Sequence, residues 1–174
     1  MARVAFVVDF LASDEASRGG WIAAAGMFGS SAKPSLVVLA TDRTALQHAD
    51  AAKYINVSIA EQRLRAYEYG RLVRTFLIST GLPTHPTPIG DFAVRAKPYK
   101  VHYRWSYGPR NKDNYDLGWV TWNLQFFPHI YVHYAPWNHN FGQRRSHGCV
   151  NVDKENARWI YDWGEVGMPI TIQP

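Results

Sequence analysis

Between positions 80 and 90 the chain carries three prolines and two glycines. Such a segment, Thr80-Gly81-Leu82-Pro83-Thr84-His85-Pro86-Thr87-Pro88-Ile89-Gly90, fits neither a helix interior nor a central strand, because each proline lacks a donor and fixes φ. It must be an irregular turn region with regular structure on either side. Upstream, residues 54–59 alternate: Ile55, Val57 and Ile59 face one way and Tyr54, Asn56 and Ser58 the other, the pattern of a half-buried strand. Residues 63–69 and 72–79 read as two further strands turned at Gly70. Downstream, 91–96 resumes as a strand. Residues 128–134 form a short strand containing His133, and 168–172 a closing strand. One helix is predicted over 153–163, with acidic residues in its first turn and Ala157, Ile160 and Tyr161 as an inward stripe, ended by Gly164 and Gly167. The fold class that follows is mainly β with minor α.

Composition narrows the class. At 174 residues with 47% hydrophobic and 19% charged residues, the chain can bury a core and is not a disordered polymer. The net charge of +5 is not gathered into a basic tail, so no nucleic-acid partner is expected. Anionic polymers or carboxylate-bearing peptides suit that charge equally well. No apolar run of the length a membrane helix needs is present. Neither 1–12 nor 21–39 reads as a signal peptide, the first being interrupted by Asp9 and the second by Lys33 and Pro34. Within residues 1–52, 4–11 and 36–40 are short strand candidates, and Thr41-Asp42 could cap a brief helix through Ala51. No role follows for this N-terminal extension.

The aromatic residues, 14% of the chain, concentrate in 98–127: Tyr99, Tyr103, Trp105, Tyr107, Tyr115, Trp119, Trp122, Phe126 and Phe127. They predict a β-hairpin with cross-strand aromatic pairs, which would equally serve as a flap of rings over a groove.

The chain has one cysteine, in Arg145-Ser146-His147-Gly148-Cys149-Val150-Asn151. A single thiol excludes an internal disulfide framework. Near its ordinary pKa it is only a few per cent thiolate at neutral pH, so a nucleophilic Cys149 needs a base. His133, sixteen positions upstream, is the candidate, with Arg144 and Arg145 favouring the anion. His147 is a second candidate, favoured as a structural or main-chain contributor. The N–H groups of His147, Gly148 and Cys149 could form an oxyanion hole, with Gly148 allowing close approach. A buried inert thiol is the competing reading. A zinc site from His133, His139, His147 and Cys149 matches no standard ligand spacing, so neither metal nor cofactor is expected. Most of His48, His85, His102, His129 and His139 are expected to be surface or structural residues. The residues alone reach thiol-dependent acyl transfer or hydrolysis.

His133 followed by Ser146-His147-Gly148-Cys149-Val150-Asn151 resembles the signature of the L,D-transpeptidase catalytic domain (YkuD-like). The resemblance extends to 53–57 with 61–70, to 78–92, and to 159–172. It implies a mixed-sheet β-sandwich with one main C-terminal helix, residues 53–174 being the catalytic domain. It implies peptidoglycan stem peptides as substrate, in a protein acting outside the cytoplasm as a monomer. Cys149 would attack the third residue of a tetrapeptide stem and release D-alanine. A neighbouring stem amine would then form a 3–3 cross-link; water would instead make the enzyme an L,D-carboxypeptidase. A catalytically silent wall-binding module is the third alternative. By the same resemblance His133 is the general base, oriented by the carbonyl of Tyr134, and Ser146, His147 and Gly148 support the nucleophile. Tyr131, Trp137, Arg145 and Asn151 are substrate-contact candidates. Two departures stand out: Tyr134 is bulkier than the small residue family members carry, which predicts a reshaped groove, and only twelve residues separate His133 from Ser146.

Overall fold

The structure, a computed structural model, describes His48 and residues 50–174, and residues 47–174 form one compact unit. The strand and helix expectations for 4–11, 36–40 and 41–47 lie outside the described residues; His48 and Asp50 belong to a turn.

Ten strands and one helix follow: β1 (Lys53–Ser58), β2 (Arg63–Glu68), β3 (Arg71–Leu77), β4 (Gly90–Ala93), β5 (Lys100–Trp105), β6 (Tyr115–Thr121), β7 (Asn123–Phe127), β8 (Ile130–Tyr134), β9 (Val150–Val152), α1 (Lys154–Trp163) and β10 (Pro169–Gln173). They build a five-stranded sheet β3-β2-β1-β10-β4, a three-stranded sheet β7-β8-β9 and the two-stranded hairpin β5-β6. β1 with β10 and β8 with β9 are parallel pairs, the other ladders antiparallel. The described residues therefore form the mostly β, mixed-sheet architecture with a C-terminal helix that was expected.

The core joins the two larger sheets and the helix. Ile55, Val57, Leu64, Phe76, Ile170 and Ile172 of the first meet Leu124, Phe126, Val132, Val150 and Val152 of the second, with Ala157 and Ile160 of α1 closing one side. Asp153 caps α1 through its carboxylate, which accepts from Asn156 N–H at 3.0 Å, a contact typical of an N-cap. Of the predicted stripe, Ala157 and Ile160 are buried, whereas Tyr161 is half-buried and donates its hydroxyl to Lys97 O at 2.9 Å.

Three strand expectations need correction. β1 is buried on both faces, with Tyr54 and Asn56 as inaccessible as Ile55. Its polar side is covered because Tyr67 stacks on Tyr54 at 4.6 Å and Gln173 Nε2 donates to Asn56. The expected strand over 91–96 leaves its sheet after Ala93 and crosses to the other: Arg95 N–H donates to Gln125 O and Gln125 N–H to Ala96 O. The strand through His133 begins at Ile130, since Pro128-His129 forms a turn with His129 at φ +60°. The β2–β3 turn sits where expected; Tyr69 and Gly70 have φ of +48° and +73°, the positive pair of a type I′ hairpin.

Candidate active site

The Pro-Gly segment is a scaffold for the cysteine motif. Thr80 O accepts from the N–H groups of Arg145 and Ser146, Leu82 N–H donates to Ser146 O, and Ser79 and Asn151 exchange both main-chain bonds. Buried Gln62 fixes Thr80 from beneath, accepting its N–H at 2.9 Å and donating to its hydroxyl at 2.6 Å. Thr87 accepts from Gly81 N–H and donates to Gly148 O at 2.8 Å.

The motif then turns sharply. Gly148 has φ +113°, and a Cβ there would lie 2.6 Å from Ile130 Cδ1, so only glycine fits without strain. Ser146 is buried; its hydroxyl donates to Cys149 O at 2.5 Å and accepts from Gly148 N–H at 3.1 Å. The Gly148 N–H is thereby committed, which corrects its expected place in an oxyanion hole. The N–H groups of His147 and Cys149 make no hydrogen bond among the described residues.

Cys149 and His133 line one cavity of about 250 Å³, together with Tyr103, Tyr115, Leu117, His129, Trp137, Arg145, Ser146, His147 and Asn151. The half-buried thiol is directed at His129 O, 4.0 Å away. Burial pushes its pKa up to about 12, opposed by a main-chain hydrogen bond at Tyr131. Arg144 and Arg145 were expected to favour the anion; both are exposed, where solvent screens their charge, and neither counters the desolvation.

His133, 1% exposed, is held on both ring nitrogens. Nδ1 lies 2.6 Å from Tyr134 O and Nε2 3.0 Å from Asn151 Nδ2. A carbonyl can only accept, so Nδ1 carries the proton and Nε2 is the acceptor facing the asparagine amide. Burial lowers the imidazole pKa to about 4, against the Tyr134 hydrogen bond, which raises it. Both members of the pair are accordingly neutral near pH 7.

Tyr134 supplies only its carbonyl. Side chains alternate along β8, so its ring points away from His133 and packs on Trp122 at 5.9 Å; the expected reshaping of the groove does not occur there. Tyr131, expected in the groove, does not line the cavity: its ring stands edge-on to Tyr103 at 5.8 Å. Trp137 does line it, 6.1 Å from the His133 ring, and Arg145 sits at its exposed mouth. Asn151 is 2% exposed and spends its amide on the imidazole rather than on open groove. His147 leans on His85 at 4.6 Å and on Tyr115 at 5.2 Å; its pKa is lowered by burial and then by His85. His139 is exposed and outside the cavity, and no group of three or more metal-ligating side chains occurs among the described residues.

Sequence reasoning missed Thr87, His129 and the special place of Tyr103. The Tyr103 ring stacks on His133 at 4.3 Å and 30°, and its hydroxyl donates to Asn123 Oδ1 at 2.9 Å. A lone asparagine between Trp122 and Leu124 was the available signal, because a buried amide in an apolar strand must find partners. Nothing in the sequence marked Thr87.

L,D-transpeptidase 1 of Mycobacterium tuberculosis is 36% identical over 125 residues, 66% of this chain and 48% of that protein. The chain thus spans about half the length of that curated relative. The solved L,D-transpeptidase of Mycobacterium smegmatis superposes with a TM-score of 0.67 at 30% identity, over 71% of this chain and 59% of the other. LdtMt1 in complex with imipenem gives 0.67 at 32% identity, over 70% and 59%. The family model of the L,D-transpeptidase catalytic domain (YkuD) matches residues 52–172, and the chain belongs to that family.

Proposed function

We propose that residues 53–174 are a cysteine acyltransferase domain that acts on peptidoglycan stem peptides outside the cytoplasm and forms 3–3 cross-links. The observation that carries this reading is the lining of the cavity that Cys149 and His133 share. It brings together a thiol, a neutral imidazole with Nε2 as acceptor, and His147, whose main-chain N–H, like that of Cys149, makes no hydrogen bond among the described residues.

Because burial disfavours both charges, the resting state is thiol plus imidazole, not a preformed ion pair. The donor peptide's carbonyl enters beside Sγ. His133 Nε2 exchanges the Asn151 amide for the thiol proton as Sγ bonds to the carbonyl carbon, and the His147 and Cys149 N–H groups receive the oxyanion. Collapse breaks the C–N bond, and the imidazolium returns its proton to the departing D-alanine amine. The amine of a second stem then attacks the thioester, giving a proton to His133 that passes back to the thiolate. Tyr134 O holds the imidazole tautomer throughout. Trp137 and Arg145 at the cavity wall and mouth are the substrate contacts, the guanidinium meeting a stem carboxylate.

Purified protein incubated with a defined disaccharide tetrapeptide tests the reading by mass spectrometry of the products. Dimer formation with release of D-alanine is expected. Tripeptide without dimer would reassign the second step to water, making the protein an L,D-carboxypeptidase. A folded protein that yields neither, while still binding the polymer, would support the silent wall-binding alternative.

A further inference from the structure

The base lies in a row that spans the three-stranded sheet. Asn123 is paired with His133 and His133 with Asn151 in the strand register, and directly opposed residues share a face. All three are buried, at 0, 1 and 2% exposure. The two asparagines do different things. Asn151 reaches the imidazole itself. Asn123 reaches the flap: its amide nitrogen donates to Val120 O at 3.0 Å, and to Pro98 O and Tyr99 O at 3.2 and 3.4 Å. These carbonyls lie at the feet of both strands of the β5-β6 hairpin. The Oδ1 of the same amide accepts the Tyr103 hydroxyl.

Tyr103 is the flap aromatic that turns inward, 7% exposed, while Trp105, Tyr107 and Trp119 stay 41, 41 and 63% exposed. Its ring covers one face of the His133 imidazole. On the reading that His133 is the base, we propose that Tyr103, anchored through Asn123, is a positioning residue. It holds the imidazole from the flap, so that proton transfer at Cys149 requires the flap to be seated.

Two physical points support this. The turnover step makes Nε2 give up Asn151, leaving the ring the Tyr134 carbonyl and the Tyr103 stack, closer than Trp137, as its main guides at the moment when a misplacement of about 1 Å can lower a rate by two orders of magnitude. The stack also keeps water off one ring face, which helps to maintain the burial that holds the imidazole neutral. The Tyr103 phenol itself is kept un-ionised by burial, so it remains a donor to Asn123 across the working pH range.

The test uses carbapenem acylation of Cys149, followed by intact mass and rate, in Tyr103→Leu and Tyr103→Phe. The parent and His133→Gln are measured first. A parent that is not acylated, or a His133→Gln acylated at the parent rate, contradicts the base assignment and not the role of Tyr103. Given a reactive parent, Tyr103→Leu should lower the acylation rate constant about 10- to 100-fold with half-saturation little changed. Its low-pH limb should move up from near 4 toward the ordinary histidine value as water reaches the ring. Tyr103→Phe keeps the ring and loses the 2.9 Å bond, and should show a smaller fall. A folded Tyr103→Leu with the parent's rate and limb would overturn the proposal. Should that variant not fold, Tyr103→Phe decides the matter: the parent's rate in it overturns the anchoring through Asn123.

Discussion

The floor and the roof of the cavity are built on opposite principles. On the floor, His133 is fixed by ladders on both sides, β8 lying between β7 and β9, and Asn151 by its pairing with His133 and a bridge to Ser79. On the roof, β5 and β6 pair only with each other, with a register shift between His102 and Arg104. That hairpin meets the floor and lips through rings: Trp105 on His129 at 5.2 Å, Tyr107 on His85 at 5.3 Å and Tyr115 on His147 at 5.2 Å. Each such ring pair contributes on the order of 0.5–1.5 kcal/mol. The chemistry therefore rests on register, and substrate capture on a set of small, separable contacts. Substitutions in the floor, and at Tyr103 whose ring lies on the His133 imidazole, should lower kcat, and those elsewhere in the roof should mainly raise KM.

The largest contrast should come from a folded His133→Gln, which removes the proposed base. Turnover is expected to fall by about 10² to 10⁴-fold with KM nearly unchanged, read in steady-state assays on a stem tetrapeptide. Gly148→Ala should rank next. Its Cβ would clash with Ile130 at a positive φ, at a cost of about 1–3 kcal/mol. The displaced Cys149 N–H should lower turnover further, which a thermal melt and an activity assay measure separately.

Acidity should separate floor from roof too. His133 is neutral when folded and protonates below about 4, but protonates near 6.5 when unfolded. Between those values the unfolded state binds more protons, so stability falls as pH drops from 6.5 to 4, by about 3 kcal/mol. Denaturant titrations across that window should show the slope in the parent and lose it in a folded His133→Phe. The thiol behaves conversely. With its pKa near 12, iodoacetamide alkylation should still be rising steeply well above pH 9, whereas an ordinary thiol, half-ionised at about 8.5, approaches its plateau there. The smallest effect belongs to the roof's rim: Trp119→Ala, at a residue 63% exposed, should leave carbapenem acylation within about twofold of the parent.

The unequal legibility of the two regions has a physical source. Period-two alternation and Pro-Gly punctuation placed the strands of the five-stranded sheet, because burial and turn chemistry act locally; of the three-stranded sheet only β8 was foreseen, β7 lying inside the expected aromatic hairpin and β9 being too short to show a pattern. The segment from 91 to 96 was read as one strand although it leaves its sheet after Ala93 and bridges to the other, since one extended segment can serve two sheets without any change of pattern. At the site, the cysteine motif stood out as a rare residue beside a glycine, and His133 as a histidine at a strand end. Asn123 and Thr87 did not stand out. Their importance lies in partners distant in sequence, Tyr103 and Gly148, and no local periodicity encodes those pairings. Tyr134 carried the opposite lesson, because a bulky ring next to the base is harmless when strand alternation turns it into the core.

Covalent attachment at Cys149 is the claim on which the account stands. Intact mass spectrometry of the parent and of Cys149→Ala, each mixed with a carbapenem and, separately, with a tetrapeptide donor, tests it directly. The account predicts one acyl adduct on the parent, mapped to Cys149, no adduct on the variant, and product formation that EDTA leaves unchanged. Undiminished peptide product from a folded Cys149→Ala would contradict it.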